Sequence, residues 1–290
     1  MKQDKPKILI YDIETTLLFL YGFSLGKTHL NHSQLMGGYF NRTHVICITY
    51  RWAHEKTTHV IDWGTSLKDE GTMVEKFNAL VNEADIVIGK NNNRFDDKHM
   101  NTQNLWFGIE QSYDWMARTD DVEKQMRRHF YLPSYSLDYF SKELGIGGKL
   151  KMALSDWKEI AALRFVQVGL IKDTAHGNII TQMMFKEDVS EIIKKGTKAL
   201  KKMLTYGKKD TSDTLKLYRH IQRYAKQKLN YSVAMNDAHV CTSCGSDDIR
   251  KNGTRMSGAT RKQHWYCNSH GGYAGATTIS AKGKQGKMRT

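Results

Sequence analysis

Asp12 and Glu14 stand two residues apart in the stretch KILIYDIETT, residues 7–16. The run Ile8, Leu9, Ile10, Tyr11 before them has the branched and aromatic character of a buried strand. Strand side chains alternate faces, so the two carboxylates share one. Like charges on one face of a central strand repel each other and resist burial.

Two further acidic features follow. In ADIVIGKNNNRFDDKHM (84–100) an apolar strand runs into an Asn-rich turn, and Phe95-Asp96 opens a helix. In YGKKDTSDTLKLY (206–218) Tyr206 and Asp210 lie one helical turn apart on a common face, with Asp213 and Tyr218 beyond them. Taken singly, each has an ordinary reading. Asp96 suits a helix N-terminus by charge alone, and residues 206–218 suit a solvated amphipathic helix. Taken together, Asp12, Glu14, Asp96 and Asp210 would, on converging, offer hard oxygen ligands to two divalent cations. Two such ions about 3.5–4 Å apart activate a water and stabilise the leaving oxygen of a phosphodiester. Repulsion among the acids then becomes affinity for the ions.

A second constellation closes the chain. Cys241-x-x-Cys244 and Cys267-x-x-His270 are separated by 22 residues, the spacing of two zinc knuckles. Four protein ligands complete a tetrahedron, which makes the expected zinc structural, and so small a unit needs the metal in place of a core. His264 and His239 are alternative fourth ligands. Around the knuckles, Arg250, Lys251, Arg255, Arg261, Lys262, Trp265 and Tyr266 interleave cations with aromatics, which suits phosphate contact and base stacking. Equally, Trp265 and Tyr266 suit the small core of the unit itself.

The elements that must position these groups read as follows. Residues 7–14 form a strand and 15–44 a long excursion. VICITYRW (45–52) and TTHVIDW (57–63) form a hairpin. Residues 71–84 carry a helical stripe, 85–89 a buried strand and 94–107 a helix, and DWMART reads as another strand. Residues 134–146 form a capped helix ending at Gly145 and Gly147. A long helical region covers 190–228, with Gly196 and Gly207 as weak points. The pattern is that of an α/β fold, a mixed β-sheet flanked by helices, plus a small C-terminal metal unit. The expected organisation is a catalytic domain over 1–228, a linker over 229–240, the zinc unit over 241–273 and a basic, disordered tail over 274–290.

Bulk properties narrow the classes. A net charge of +14 points to a polyanionic partner, most simply nucleic acid. A hydrophobic content of 40% excludes global disorder. The start, MKQDKPK, has no signal-peptide character, and no apolar run reaches the roughly 18 residues of a membrane span. A soluble cytoplasmic protein is expected. Three of the four cysteines sit at metal spacing, which fits a reducing compartment rather than a disulfide scaffold.

The order DIET, then N-x-x-x-F-D, then Y-x-x-x-D resembles the three motifs of the DnaQ-like 3′–5′ exonucleases of the ribonuclease H-like superfamily. The likeness covers roughly residues 5–225. It extends through the segments TTLLFLYGF and YLPSYSLDYFSKELGIGGK to stand-alone phage and bacterial proteins of the YprB-like group. The resemblance implies a ribonuclease H-like sheet, Asp12, Glu14, Asp96 and Asp210 as ligands of two Mg²⁺ or Mn²⁺ ions, and Tyr206 as the group that positions the attacking water. Tyr206 marks the DEDDy branch. The branch that uses a general-base histidine has it at the position of Thr205. The likeness further implies substrate contacts at Asn91, beside Phe95, and at Leu18 as a wedge against the terminal base, where a core leucine is the plain alternative. Lys90 departs from the histidine common in the family. The C-terminal unit resembles a zinc ribbon with His270 in place of a fourth cysteine, and Arg261, Lys262 and Trp265 are its candidate nucleic-acid contacts.

The implied activity is metal-dependent release of nucleoside monophosphates from DNA 3′ ends, in the host cytoplasm if the gene is of phage origin. A polymerase or another replication or recombination protein is a conceivable partner. Alternatives are a structure-selective nuclease or RNA exonuclease on the same fold, and a catalytically silent tethering module, which has no need of repelling carboxylates.

Overall fold

The computed structural model describes residues 6–19, 32–35, 42–110, 119–147, 150–171, 187–224, 230–235, 237, 239–257 and 260–279. β1 (Ile8–Thr15) is the central strand of a five-stranded sheet. β2 (Val45–Trp52) pairs with it antiparallel, and β3 (His59–Asp62) pairs antiparallel with β2. On the other side β4 (Ile86–Gly89) runs parallel to β1, and β5 (Thr119–Asp121) parallel to β4. The order is β3-β2-β1-β4-β5. The hairpin and the strands over 7–14 and 85–89 thus form as the sequence pattern predicts. Only the last residue of DWMART, Thr119, lies in β5, and residues 111–118 lie outside the described residues.

Alternation along β1 divides the fold. Leu9, Tyr11 and Ile13 face a core shared with Met73, Val74 and Phe77 of α1 (Leu67–Glu83). Tyr11 and Phe77 rings meet at 4.9 Å. Ile10 faces the other way, into a cluster with Leu215, Leu217 and Tyr218 of the long helix α6 (Val189–Ile221). Asp12 and Glu14 share this second face, opposite Thr49 and Cys47 of β2. α1 begins four residues before the apolar stripe, at a capping box. Ser66 accepts the Asp69 N–H and Asp69 accepts the Ser66 N–H.

α2 (Asp96–Phe107), α3 (Val122–His129), α4 (Leu137–Glu143) and α5 (Leu154–Gln167) complete the flanking layers. α3 and α5 were not legible from apolar spacing. In α5 the reason is Arg164, a cation on the buried face. It is fully buried, donates to Glu70 Oε2 (3.0 Å) and the Ser66 carbonyl (3.2 Å), and lies 4.5 Å over the Trp63 ring. His44 Nδ1 meets the other Glu70 oxygen at 2.5 Å.

α6 is continuous through Gly196 and Gly207, which overturns their reading as weak points. Both are close-approach positions. A Cβ on Gly196 would lie 2.5 Å from Leu163 Cβ, and one on Gly207 2.9 Å from Thr49 Cγ2. The missing side chains let α6 settle against α5 and against β2.

The C-terminal sheet is a separate antiparallel meander of β6 (Ile249–Ser257), β7 (Thr260–Cys267) and β8 (Gly272–Ile279). Two expected boundaries change. β8 runs through residue 273 to Ile279, so the sequence that reads as tail from 274 is an edge strand up to there. Its Gly, Ala and Thr residues carry little apolar signal. Within the expected linker, Tyr231–Ala234 is a helical turn. Tyr231 is buried among Ile10, Leu215 and Tyr218, and its N–H donates to the Thr242 carbonyl (2.9 Å). Residues 225–229 and 280–290 lie outside the described residues.

Candidate active site and metal centre

β1 is longer than its parallel neighbour. β4 ends at Gly89, and beyond it the edge of β1 would carry an unpaired N–H at Ile13. Asp96 fills that place from the first turn of α2, with Oδ1 accepting the Ile13 N–H at 3.0 Å. The chain reaches it through a turn in which Asn91 adopts φ 63°, a left-handed conformation that asparagine tolerates. The Asn91 N–H donates to Asp121 Oδ1 (2.9 Å), and the same oxygen caps α3 through the Glu123 N–H (2.9 Å). Asp121 therefore ties the Asp96 turn to β5 and α3. Asp120 instead takes the Gln125 amide (2.8 Å).

Asp97 is the acid that sequence reasoning missed. It is buried, accepts the Tyr11 hydroxyl from β1, and holds the Asn93 amide at 2.9 Å and the Asn92 amide at 3.3 Å. The three donors Tyr11, Asn92 and Asn93 lock the turn to the central strand. The second Asp of FDD is its only trace in the sequence.

Asp210 and Tyr206 come from the middle of α6, where the helix crosses the sheet. Thr49 Oγ1 fixes the crossing. It contacts Thr211 Oγ1 at 2.6 Å, donates to the Gly207 carbonyl (3.1 Å) and reaches the carbonyl of Asp12 itself (3.4 Å). One hydroxyl thus registers the helix that carries Tyr206 and Asp210 against the strand that carries Asp12.

The electrostatics record the convergence. Burial pushes the Asp12 carboxyl well above the usual range, and repulsion from Asp96, Glu14 and Asp210 pushes it further. The Lys90 ammonium works against this. Burial also raises Asp96 to about 7 despite the Ile13 N–H, with Asp97 and Asp121 adding to the rise. Tyr206 is 5% exposed. Burial raises its hydroxyl, and Asp210, Glu14 and Asp12 raise it further, so it stays a neutral donor. Asp12 thus feels the charges of Asp96, Glu14 and Asp210, and Tyr206 those of Asp210, Glu14 and Asp12, although the four carboxylates are not among the described groups whose ligand atoms lie within 4.8 Å of one another.

Other sequence candidates separate. Asp213 is buried between Lys209 and Lys216 (2.9 Å) and belongs to an ion-pair cluster beside Gly147. Lys90 pairs with Glu123 at 2.8 Å. Leu18 is 41% exposed just past β1, which removes the core-leucine alternative. Phe95 is exposed too, edge-on to His99 at 4.5 Å. A cavity of about 420 Å³ opens beside Tyr206, with Lys142, Lys151, Leu150 and Trp157 on its walls.

In the small sheet, one ligand atom from each of Cys241, Cys244, Cys267 and His270 lies within 4.8 Å of the others. Among the described residues this is the group that meets that spacing. Cys241 Sγ and His270 Nε2 are 3.1 Å apart, and Cys244 and Cys267 Sγ 3.6 Å. Such a soft, closed set suits zinc. His264 lies instead against the Tyr273 ring at 5.5 Å, and neither it nor His239 belongs to the group of ligand atoms. For Trp265 the structure shows the core-packing reading. It packs with Cys241, Cys267, Ala274 and Ile249 and donates Nε1–H to Thr277 at 3.0 Å. Arg261 Nε donates to the Thr254 hydroxyl (3.2 Å). Among the described residues no helix is long and apolar enough to cross a membrane.

No protein-family model matches the chain, and no curated protein matches it. Among solved structures it is similar to the family B DNA polymerase from the hyperthermophilic archaeon Pyrobaculum calidifontis. The identity is 15% over 80% of this chain, with a TM-score of 0.43. The chain spans 27% of that polymerase.

Proposed function

We propose that the protein is a metal-dependent 3′–5′ exonuclease of the DnaQ-like type, acting on DNA. The observation that carries the proposal is the gathering of Asp12, Glu14, Asp96 and Asp210 around Asp12, with Tyr206 in the same site. The strand order, with β1 central, β2 and β3 antiparallel and β4 and β5 parallel, supports a ribonuclease H-like assignment. The net charge of +14 supports a polyanionic substrate.

Asp12, Glu14, Asp96 and Asp210 would hold two Mg²⁺ or Mn²⁺ ions. Bound there, such ions supply charge neutralisation at the phosphodiester and a nucleophilic water at neutral pH. The remaining work belongs to the chain. Tyr206 holds its proton and donates a hydrogen bond to the water or to a phosphoryl oxygen, which fixes the line of attack. The Thr49–Thr211 contact keeps Tyr206 and Asp210 in register with Asp12. Lys90 offsets part of the negative potential at Asp12. Leu18, exposed just past β1, would be the wedge against the terminal base. The cavity beside Tyr206, with Lys151, Trp157 and the Asp138–Lys142 ion pair on its walls, has room for a nucleotide.

The test is incubation of end-labelled single-stranded DNA, duplex DNA and RNA with the protein in Mg²⁺ or Mn²⁺. Wild type should shorten DNA from the 3′ end, and Asp12→Ala should be inactive with its fold intact. Full activity of Asp12→Ala would overturn the proposal.

A further inference from the structure

The three strands of the C-terminal sheet carry charges of one sign only. Every ionised side chain on β6, β7 and β8 is cationic: Arg250, Lys251, Arg255, Arg261 and Lys262. The strand register sorts them. Trp265 and Cys267 of β7 point to the side of the cysteine cluster, with Ile249 opposite Cys267 and Lys251 opposite Trp265. Arg261, paired with Met256, lies on this same side. The alternate residues of β7, Lys262, His264 and Tyr266, point to the other side. Their cross-strand partners are Arg255 for Lys262, and Arg250 and Tyr273 for Tyr266. This outer face is open: Arg250 and Arg255 are exposed, and Tyr273 is 54% exposed. The Arg250 guanidinium lies 4.7 Å over the Tyr266 ring, and His264 sits 5.5 Å from Tyr273. Those contacts pair the planar groups with one another on the sheet face.

We infer that this outer face, built from Arg250, Arg255, Lys262, Tyr266 and Tyr273, is a binding platform for single-stranded nucleic acid. Arg255 and Lys262 contact phosphates, and Tyr273 and the Arg250–Tyr266 stack offer flat surfaces to unpaired bases. Charge complementarity selects a polyanion, and exposed ring surface selects one whose bases are unstacked. A duplex presents phosphates but hides its base faces. The inference deepens the nucleic-acid reading of the protein, but its test does not depend on hydrolysis.

The test uses the full chain with zinc retained, with no added Mg²⁺ or Mn²⁺ and no chelator, and short fluorescein-labelled single strands followed by anisotropy against salt. Arg255→Glu with Lys262→Glu should weaken binding at least tenfold and flatten the log–log salt slope by about 1.4, at roughly 0.7 per phosphate contact. Tyr273→Ala should weaken binding about 5- to 150-fold, and the matching duplex should bind less tightly than the single strand. The control is Lys251→Glu with Arg261→Glu, which changes net charge equally on the opposite side and should cost much less. Zinc content verifies that each variant keeps its ribbon. Equal losses from the two double variants, or no loss from the outer-face variants, would overturn the inference, and the latter would favour a protein-docking ribbon. Intact binding through this face without hydrolysis on adding Mg²⁺ or Mn²⁺ would overturn the exonuclease proposal and leave the platform standing.

Discussion

Gly207→Ala should disable the site while leaving the protein folded. A Cβ at this position would lie 2.9 Å from Thr49 Cγ2, against ordinary carbon contacts of about 3.5–4.0 Å. Thr49 cannot step aside, because it is buried and its hydroxyl is committed to Thr211, the Gly207 carbonyl and the Asp12 carbonyl. α6 must therefore move away from β2, and with it from the adjoining β1, by about 0.6–1 Å. Overpacking of this kind costs about 1–3 kcal/mol, and replacing a mid-helix glycine by alanine returns about 1 kcal/mol. The net loss is about 0–2 kcal/mol, a small shift in thermal midpoint. The site suffers more, because Tyr206 and Asp210 ride on the displaced turn while Asp12 and Glu14 stay on the strand. A misplacement near 1 Å costs on the order of 100-fold in rate. The assay is single-turnover shortening of an end-labelled strand beside a thermal melt. Thr49→Ser supplies the control, since it removes Cγ2 and keeps the hydroxyl. The double variant should recover most of the lost rate. Wild-type rate in Gly207→Ala, or no recovery in the double variant, would refute the reasoning.

Three further outcomes follow from the same geometry. Asp96 keeps its proton in the fold to about pH 7, whereas an unfolded aspartate loses it near 4, so metal-free stability should fall as pH rises through that window. The roughly 3-unit rise sets a ceiling near 4 kcal/mol, so Asp96→Asn should raise the metal-free melting temperature at pH 8 while abolishing hydrolysis; a melting temperature independent of pH from 4 to 8 in wild type would contradict this. Arg164→Met strips the buried Glu70 of one partner and should cost about 3–5 kcal/mol in urea unfolding, with Glu70→Leu in the same chain restoring part of it. Cys267→Ser should lower zinc content and open residues 241–279 to protease while the five-stranded domain keeps its helices by circular dichroism, because the buried core of the small sheet is little more than Cys241, Cys267 and Ala274.

Local chemistry was legible wherever it was written in neighbouring residues. The greasy run into Asp12 and Glu14, the apolar strand before the Asn turn, and the one-turn spacing of Tyr206 and Asp210 each lie within a few positions. Strand alternation and helix period act on the same scale. The two C-x-x-C/H knuckles are likewise local, and the structure brings together the four ligands their spacing names. Reading failed where a residue's role is set by a distant partner. Asp97 looked like a duplicate of Asp96 until Tyr11, 86 positions earlier, was seen to donate to it. Trp265 suited a stacking surface and a small core equally, and only the register, which turns it toward the cysteines, favours the core.

Gly207 shows the division most plainly. The sequence determined that a glycine sits between Tyr206 and Lys208 in a helical segment, and helix propensity alone marks it as a flaw. Only the tertiary structure decided that Thr49, 158 positions away, needs that missing side chain in order to tie helix to strand. Propensity and spacing are properties of a short stretch of chain. Whether four acids meet depends on close contacts between elements, and those exist only once the chain has closed on itself.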